Sequence, residues 1–360
     1  MRVGLVCPYS LTLPGGVQNQ VLGLARSLRA MGHEARVLGP CDGPPPDVGV
    51  TPLGDCVALA ANGSVAPIAP DASCALRTVR ALWDEGCDVL HLHEPLAPGP
   101  TLTTLLAASA PQVGTFHAAG GSAAYRWLFP LTRWIAGRLS LRCAVSEDAR
   151  VMAARALGGE FVLLHNGIEV ERFAKATPWP TTGPTVFFVG RHEPRKGLAV
   201  LLDALERLPG DLTVWVGGDG PETDALRAGV AGDGRVHWLG RIGDEELARR
   251  LRGADVFCAP SLRGESFGVV LLEAMAAHTP IVASDLPGYR NVARAGQDAL
   301  LVPPGDPVAL AGAITRVFER PSLAEALVAS GDGRAAEFSM DRLAERYAEL
   351  YEKAVSRPRR

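Results

Sequence analysis

Two glutamates with seven residues between them, Glu265 and Glu273, are the strongest candidates for chemistry in this chain. Glu265 lies in a loop before a predicted helix, where its carboxylate could accept hydrogen bonds from the hydroxyls of a bound sugar. Glu273 lies two turns into that helix and could accept hydrogen bonds from ribose hydroxyls. The backbone N–H groups that could bind an anion at the helix start belong to Ser266, Phe267, Gly268 and Val269.

Two cations, Arg191 and Lys196, follow the first predicted strand in the second half of the chain. At the carboxyl end of a strand they could neutralise a nucleotide diphosphate and stabilise it as a leaving group. Charged loops exposed to solvent are common, so the two cations alone leave that alternative open.

A glycine pair, Gly15 and Gly16, lies between the first predicted strand and the first predicted helix. Glycines let the backbone approach a phosphate, and a helix N-terminus presents N–H groups with a positive partial charge. The pattern indicates either a diphosphate-binding turn or only a tight strand-to-helix turn. A nicotinamide site fits poorly, because there is no third glycine at the G-x-G-x-x-G spacing.

Short apolar runs that alternate with helical periodicity predict the elements that position these residues. The first series of predicted strands comprises Val3–Cys7, Ala35–Leu38, Val89–Leu92, Val113–Phe116 and Cys143–Val145. After a proline-rich run at 175–184, read as a linker or extended loop, the second series comprises Val186–Val189, Thr213–Val216, Val236–Leu239, Val256–Ala259 and Ile281–Ala283. This alternation is typical of parallel sheets covered by helices on both faces.

We therefore predict two doubly wound, Rossmann-like α/β domains, 1–168 and 169–338, followed by a C-terminal helix and basic tail over 339–360. One face of that helix carries Leu343, Tyr347, Leu350 and Tyr351. It should pack back on the body of the protein. Because ligands bind at the carboxyl ends of strands in such domains, we expect the two domains to face each other across a cleft.

At the glutamate pair the sequence resembles the retaining glycosyltransferases of family 4, which implies the GT-B fold. The resemblance covers nearly the whole chain. The other stretches that carry it are Val6–Ser10, Pro14–Gln18, Asn62–Ala66, His91–Pro95, Thr115–His117, Asn166–Gly167, Glu193–Gly197 and Gly264–Gly268. Within the family, the chain is similar to enzymes that transfer mannose to phosphatidylinositol, which implies GDP-mannose as the donor.

The resemblance implies roles for residues on the donor side. The donor diphosphate would be bound by Gly15, Gly16, Arg191 and Lys196. Glu265 and His117 would face the donor sugar, and Glu273 the ribose. Catalysis would then depend on Glu265, His117, Arg191 and Lys196. The departing phosphate oxygen would take the proton of the acceptor hydroxyl, and no covalent nucleophile is assigned.

The resemblance also implies an inositol-phosphate pocket lined by Tyr9, Gln18, Asn62 and Ser64, at a membrane surface. This sequence departs from the family on that side. The departures are Thr12 in place of an acidic residue, Ala61 in place of an aromatic one, Pro67 near an expected basic one, and a basic helix reduced to Arg77 and Arg80. The alternatives are therefore a small soluble acceptor or, outside the transferases, a sugar-nucleotide epimerase or binding protein.

Composition excludes several other classes of protein. The formal net charge of −3 argues against a nucleic-acid partner, and no apolar run approaches the roughly 20 residues of a membrane span. Seven cysteines without a C-x-x-C pair fit reduced thiols in the cytoplasm. We expect a monomer, either cytoplasmic or peripheral at the inner face of the plasma membrane.

We also expect chemistry that needs no metal, because the sequence has no D-x-D triplet. His91 and His93 share a face of one predicted strand and could be metal ligands, but packing histidines are the favoured interpretation because the only nearby carboxylate is Glu94. The segment Tyr125–Leu139 mixes aromatic and basic residues. It could lie on a membrane surface, although packing on its own domain is favoured.

Overall fold

A computed structural model describes residues 1–13, 15–61, 64–117, 129–265 and 267–356. The chain divides into two compact units. Unit 1 comprises Met1–Gly167 with Met340–Arg360, and unit 2 comprises Ile168–Ser339. The C-terminal segment, treated separately in the sequence-based prediction, therefore groups with the first half of the chain.

Unit 1 is built on a parallel sheet whose strands are buried on both faces. Its strands are β1 (Arg2–Val6), β2 (Glu34–Gly39), β3 (Val50–Pro52), β6 (Val89–His93), β7 (Gln112–Phe116), β8 (Leu141–Ala144) and β9 (Val162–Leu163), with β4 (Val57–Ala61) and β5 (Ser64–Ile68) forming a separate antiparallel hairpin. The strand order is β3-β2-β1-β6-β7-β8-β9, so the order reverses between β1 and β6. Val3 and Leu5 pack into one apolar cluster and Val6 into another, which explains why these strands read as continuous apolar runs.

The helices of the first half of the chain are α1 (Gly16–Ala30), α2 (Ala72–Glu85), α3 (Pro100–Ala107), α4 (Phe129–Ala136) and α5 (Glu147–Leu157). Their ends follow ordinary capping chemistry. The Asp71 side chain accepts a hydrogen bond from the backbone N–H of Cys74 at the start of α2, and Ser146 caps α5 in the same way. Gly86 ends α2 in the left-handed conformation.

Unit 2 repeats the architecture. Its strands are β10 (Thr185–Val189), β11 (Thr213–Gly217), β12 (Val236–Gly240), β13 (Val256–Ala259), β14 (Ile281–Ser284) and β15 (Leu300–Val302). Its α-helices are α6 (Val170–Ala174), α7 (Leu198–Ala204), α8 (Thr223–Gly229), α9 (Asp244–Gly253), α10 (Val269–Ala276), α11 (Pro287–Arg290), α12 (Pro307–Glu319) and α13 (Pro321–Glu337). The order β12-β11-β10-β13-β14-β15 reverses between β10 and β13. Ligands bind at such a switch point in open α/β sheets.

The proline-rich run at 175–184 packs on unit 2 instead of forming a free linker. The guanidinium carbon of Arg250 lies 3.8 Å from the ring centroid of Trp179 and 4.5 Å from that of Trp215. The backbone N–H of Trp179 also donates to the carbonyl of Arg249 at 2.8 Å. The Arg250 guanidinium is therefore sandwiched between the indole rings of Trp179 and Trp215, and these cation–π contacts are stabilising.

The last helix, α14 (Met340–Ser356), packs on unit 1 as its amphipathic pattern predicts. Tyr347, Leu350 and Tyr351 are buried, and Leu343 is partly buried against the same cluster. The Ser27 hydroxyl donates to the Asp341 carboxylate at 2.7 Å, which ties the start of α14 to α1.

Candidate functional site

The loops after β10 and β13 flank the switch point of unit 2 and bring two of the predicted donor-side residues, Lys196 and Glu265, together. Gly197 has a φ of +67°, and a Cβ atom there would lie 2.0 Å from the carbonyl oxygen of Pro260. The backbone N–H of Leu262 donates to the carbonyl of Arg195 at 2.8 Å. Because only glycine permits so close an approach, the loop that carries Lys196 is held against the loop that leads to Glu265.

Glu265 is mostly buried, and three side chains contact the same oxygen of its carboxylate. Its Oε1 atom lies 2.7 Å from Lys196 Nζ, 2.9 Å from Ser261 Oγ and 3.8 Å from Arg195 Nη1. Arg195 also pairs with Glu193 at 2.7 Å. Sequence reasoning missed Arg195 and Ser261 as partners of the carboxylate, although Arg195 stands beside Lys196 in the same motif.

Arg191 is the exposed cation of this loop. Within the described ranges its guanidinium has no hydrogen bond or ion pair, whereas Lys196 is paired with Glu265. Arg191 can therefore bind an anionic group without first breaking a salt bridge, whereas Lys196 would have to leave Glu265.

The start of α10 contributes backbone, not side chains. Gly268 precedes the helix with a φ of +85°, and the helix begins at Val269. Phe267 is buried in the unit 2 core at 2% exposure, so only its main chain could meet a ligand. Ser266, the remaining residue predicted here, lies outside the described residues.

Glu273 lies on α10 in a setting that disfavours its charge. Burial raises the pKa of its carboxyl to about 7, Arg172 opposes that rise, and the Asp244 carboxylate adds to it. A carboxyl group with a pKa near neutrality, one turn into the helix whose start is a candidate anion site, fits a ligand-binding role. Such a group could accept ribose hydroxyls when ionised.

In unit 1, Gly15 and Gly16 stand where α1 begins, after β1. Gly15 is the N-cap residue of α1 and has an extended backbone conformation. No side chain caps the helix by accepting a hydrogen bond from its first backbone N–H groups. A Cβ atom on Gly16 would meet no atom within 4 Å, which leaves open space at the helix start.

The predicted acceptor residues are only partly described. Gln18 is buried, and its Nε2 donates to the carbonyl of Ser10 at 3.2 Å, so the amide braces the loop after β1. Tyr9 is half-buried beside Ile68, and burial together with the Glu94 carboxylate raises the pKa of its phenol. Asn62 lies outside the described residues, and Ser64 is described only as the first residue of β5.

An acidic residue that the sequence did not single out contacts Thr12 through its backbone and Ser10 through its side chain. The Ser10 hydroxyl hydrogen-bonds the Asp42 carboxylate and lies 3.0 Å from Thr12 Oγ1. The backbone N–H of Asp42 donates to Thr12 Oγ1 at 3.1 Å. Asp42, 30 residues further along the chain than Thr12, thus places its carboxylate on Ser10, whose hydroxyl also contacts Thr12.

His117 follows β7 and is held by two partners from the end of β6. Its Nε2 lies 3.0 Å from His93 Nδ1, and its backbone N–H donates to Glu94 Oε1 at 2.6 Å. Burial lowers the pKa of His117 to about 4, so its imidazole is neutral near pH 7. His91 below it hydrogen-bonds Tyr351 and Thr115, each at 2.7 Å, which is the packing role expected for it.

Helix α2 carries the two remaining basic residues, and both are engaged. Arg77 donates to the carbonyl of Leu53 at 2.7 Å, and Arg80 lies 3.5 Å from the Asp84 carboxylate. The outward face of α2 instead exposes 73% of Leu76 and 84% of Trp83. Among the helices described, none is long and apolar enough to cross a bilayer, and the described side chains include no group of three potential metal ligands.

Comparison with known proteins assigns both halves of the chain to sugar transferases. The profile of Glycosyltransferase Family 4 matches residues 14–172, and that of Glycosyl transferases group 1 matches residues 183–320. The chain is 41% identical to the phosphatidyl-myo-inositol mannosyltransferase of Mycobacterium leprae, covering 98% of this chain and 96% of that protein. It is 40% identical to the enzyme of the same name from Mycolicibacterium smegmatis, covering 98% and 94%.

Two solved structures show the same fold at lower identity. Anabaena HepE, in complex with UDP and glucose, has a TM-score of 0.74 at 21% identity and covers 98% of this chain and 100% of its own. Sucrose-phosphate synthase from Thermosynechococcus elongatus has a TM-score of 0.74 at 22% identity, covering 98% of each chain. The GT-B fold predicted from the sequence is thus confirmed, and the chain belongs to glycosyltransferase family 4, the family of these phosphatidyl-myo-inositol mannosyltransferases.

Proposed function

We propose that this glycosyltransferase moves mannose from GDP-mannose to the inositol ring of phosphatidylinositol, with retention of anomeric configuration and without a metal. The observation that carries the proposal is the placement of Lys196 against Glu265, with Arg191 nearby in the chain, at the switch point of unit 2. Relatives of about 40% identity over nearly the full length bear the name of this activity.

On the donor side, Arg191 and Lys196 bind the diphosphate. Glu265 accepts hydroxyls of the sugar. Glu273 binds the ribose, and the backbone from Ser266 to Val269 completes the site.

The reaction proceeds on one face of the sugar. The bond between the anomeric carbon and the diphosphate oxygen breaks, and the acceptor oxygen bonds to that carbon on the side from which the diphosphate leaves. The acceptor proton passes to the departing phosphate oxygen, while Arg191 and Lys196 balance its negative charge. These two cations supply the charge stabilisation that a divalent metal gives in other transferases.

On the acceptor side, the inositol phosphate is bound by Tyr9, Gln18, Asn62 and Ser64. The neutral Tyr9 phenol offers a hydrogen bond. The Asp42 carboxylate, which accepts a hydrogen bond from Ser10, is an acidic group that can accept an inositol hydroxyl. The enzyme then works as a peripheral protein at the inner membrane face.

The direct test is transfer of labelled mannose from GDP-mannose to vesicles that contain phosphatidylinositol. Labelled lipid with the anomeric configuration of the donor, read by NMR, is the expected product. Free inositol phosphate and a panel of soluble cyclitols are assayed in parallel. Thermal shift with GDP-, UDP- and ADP-sugars identifies the donor, because the bound nucleotide stabilises the folded state. Transfer only to a soluble alcohol without inositol would refute the acceptor assignment.

A second candidate function is transfer to a small soluble acceptor. The observation in its favour is that both basic residues of α2 already have partners. Arg77 donates to the carbonyl of Leu53, and Arg80 lies near the Asp84 carboxylate. This helix offers little attraction to anionic lipid. Product on soluble cyclitols, with none on vesicles, would establish this alternative.

A further inference from the structure

A buried chain of two hydroxyls leads from α11 to the Glu265 carboxylate. The Tyr289 hydroxyl lies 3.0 Å from Ser261 Oγ, and Ser261 Oγ lies 2.9 Å from Glu265 Oε1. Ser261 is 2% exposed and Tyr289 is 1% exposed, so solvent hardly reaches either residue. Neither residue belongs to the motifs by which the sequence indicated the site.

The number of available protons sets the direction of both hydrogen bonds. A carboxylate only accepts, so Ser261 must use its single hydroxyl proton on Glu265. The Ser261 oxygen can then only accept from Tyr289, and the phenol is the donor. Burial raises the pKa of Tyr289, which keeps the phenol protonated. The polarised hydroxyl of Ser261 is a stronger donor to the carboxylate than an isolated serine would be.

Close packing fixes the tyrosine ring against the loop that carries Glu265. A Cβ atom on Gly268 would lie 2.8 Å from Cδ1 of Tyr289. One on Gly288, next to Tyr289 in the chain, would lie 1.8 Å from the backbone oxygen of Glu265. The phenol and the glutamate backbone therefore share one rigid frame.

We propose that Tyr289 and Ser261 are positioning residues that hold the Glu265 carboxylate in place when Lys196 turns from it to the donor diphosphate. The inference rests on the proposed role of Glu265 toward the donor sugar. Lys196 and Ser261 both bind Oε1 of Glu265. A lysine that moves to phosphate leaves the carboxylate to Ser261 and to the longer contact from Arg195, at 3.8 Å.

The test is a double-mutant cycle on Ser261→Ala and Tyr289→Phe, read in kcat and in the Kd for GDP. We expect kcat to fall about tenfold for Ser261→Ala and about threefold for Tyr289→Phe, with the Kd for GDP nearly unchanged. The double variant should fall about tenfold, because the phenol acts only through Ser261. Ser261→Thr, which keeps the hydroxyl, should restore most of the rate. Losses that multiply in the double variant, or a parallel loss of GDP affinity, would overturn the relay.

Ser330→Ala is the matched control, since Ser330 donates to the Asp298 carboxylate at 2.7 Å in the same unit, outside the site. It should leave kcat unchanged. A second cycle, on Ser261→Ala and Glu265→Gln in denaturant unfolding of the ligand-free protein, needs no substrate. We expect the two effects to be non-additive, and additive effects would overturn the relay even if GDP-mannose is not the donor. A wild-type protein that transfers no mannose would instead refute the proposed function alone.

Discussion

Lys196 Nζ lies 2.7 Å from Glu265 Oε1 in unit 2, so the two residues assigned to different parts of the donor are ion-paired with each other. The side chains are 22% and 11% exposed, which places the pair away from bulk solvent. A bound diphosphate must compete with Glu265 for this lysine. In the proposed function, the pair therefore couples the binding of the phosphate to the placement of the Glu265 carboxylate.

Glu265→Gln should nearly abolish transfer while the Kd for GDP changes little. The amide keeps the shape of the side chain but loses the charge that Lys196 and Ser261 hold, and the freed lysine can tighten GDP binding slightly. We expect kcat to fall at least about a hundredfold. Steady-state kinetics with calorimetric titration of GDP check this. Glu206→Gln, at an exposed carboxylate of the same unit, is the control. Loss of GDP binding as complete as the loss of turnover would reassign Glu265.

GDP binding should weaken as the pH falls through about 7, because Glu273 has its pKa raised to about 7 by burial. The ionised carboxylate is the form that accepts two ribose hydroxyls, so binding favours loss of the proton. Affinity should be about tenfold higher near pH 8 than near pH 6. Glu273→Gln should remove that slope and leave only the titration of the nucleotide itself. An unchanged slope in the variant would mean that Glu273 does not bind the ribose in its ionised form.

Acid should destabilise unit 1 well above the pH at which its carboxylates titrate. Burial lowers the pKa of His91 to about 3 and that of His117 to about 4, below the value of about 6.5 in an unfolded chain. The unfolded state then binds more protons below pH 6.5, so stability is lost as the pH falls from 6.5 toward 4. At pH 5 the lowered pKa of each histidine reduces the free energy of unfolding by about 2 kcal/mol.

Denaturant unfolding at pH 7 and pH 5 measures this loss of stability. His117→Asn should make the loss smaller by the contribution of one histidine. His33→Asn, at a half-buried position of the same unit outside this buried cluster, should not change it. Equal pH dependence in the wild-type protein and in His117→Asn would contradict the buried, neutral state of His117.

Sequence periodicity predicted most of the architecture because the central parallel strands are buried on both faces and read as short apolar runs, whereas the short strands β3, β9 and β15 were missed. The hairpin of Val57–Ala61 and Ser64–Ile68 was missed, since its alanines and proline give no clear strand pattern. Local motifs also identified Lys196 and Glu265, which lie at strand ends. Their pairing spans 69 positions and depends on the approach of Gly197 to Pro260, which no local pattern encodes.

The same limit explains why Ser261 and Tyr289 escaped notice. Ser261 is four residues before Glu265, but only the fold brings the hydroxyl of Tyr289 to it across 28 positions. Asp42 was missed because the sequence showed Thr12 where an acid was expected, and the carboxylate comes from a different loop. Residues that act through tertiary contacts carry no signal in spacing.

Activity should persist in excess chelator, because Arg191 and Lys196 take the charge that a metal would otherwise balance. We expect the initial rate with EDTA to equal that without it, measured as GDP release on acceptor vesicles. Lys196→Met, in contrast, should lower kcat about a hundredfold with or without added magnesium. A rate that EDTA removes and manganese or magnesium restores would show that these cations do not suffice.

Lipid association should be weak and nearly independent of salt. Helix α2 carries Asp84 and Glu85 beside Arg77 and Arg80, and Arg80 lies 3.5 Å from Asp84, so the positive and negative charges of the helix balance. Each unpaired basic residue near an anionic surface contributes about 1 kcal/mol to the free energy of membrane binding, and α2 lacks this contribution. Trp83, 84% exposed, offers apolar area instead. Trp83→Ser should therefore reduce sedimentation with phosphatidylinositol vesicles about tenfold, while raising the salt above about 0.15 M changes little.

Val48→Ser, at another exposed apolar residue of unit 1, is the control. Binding that vanishes with salt yet survives Trp83→Ser would place the contact on basic residues away from α2.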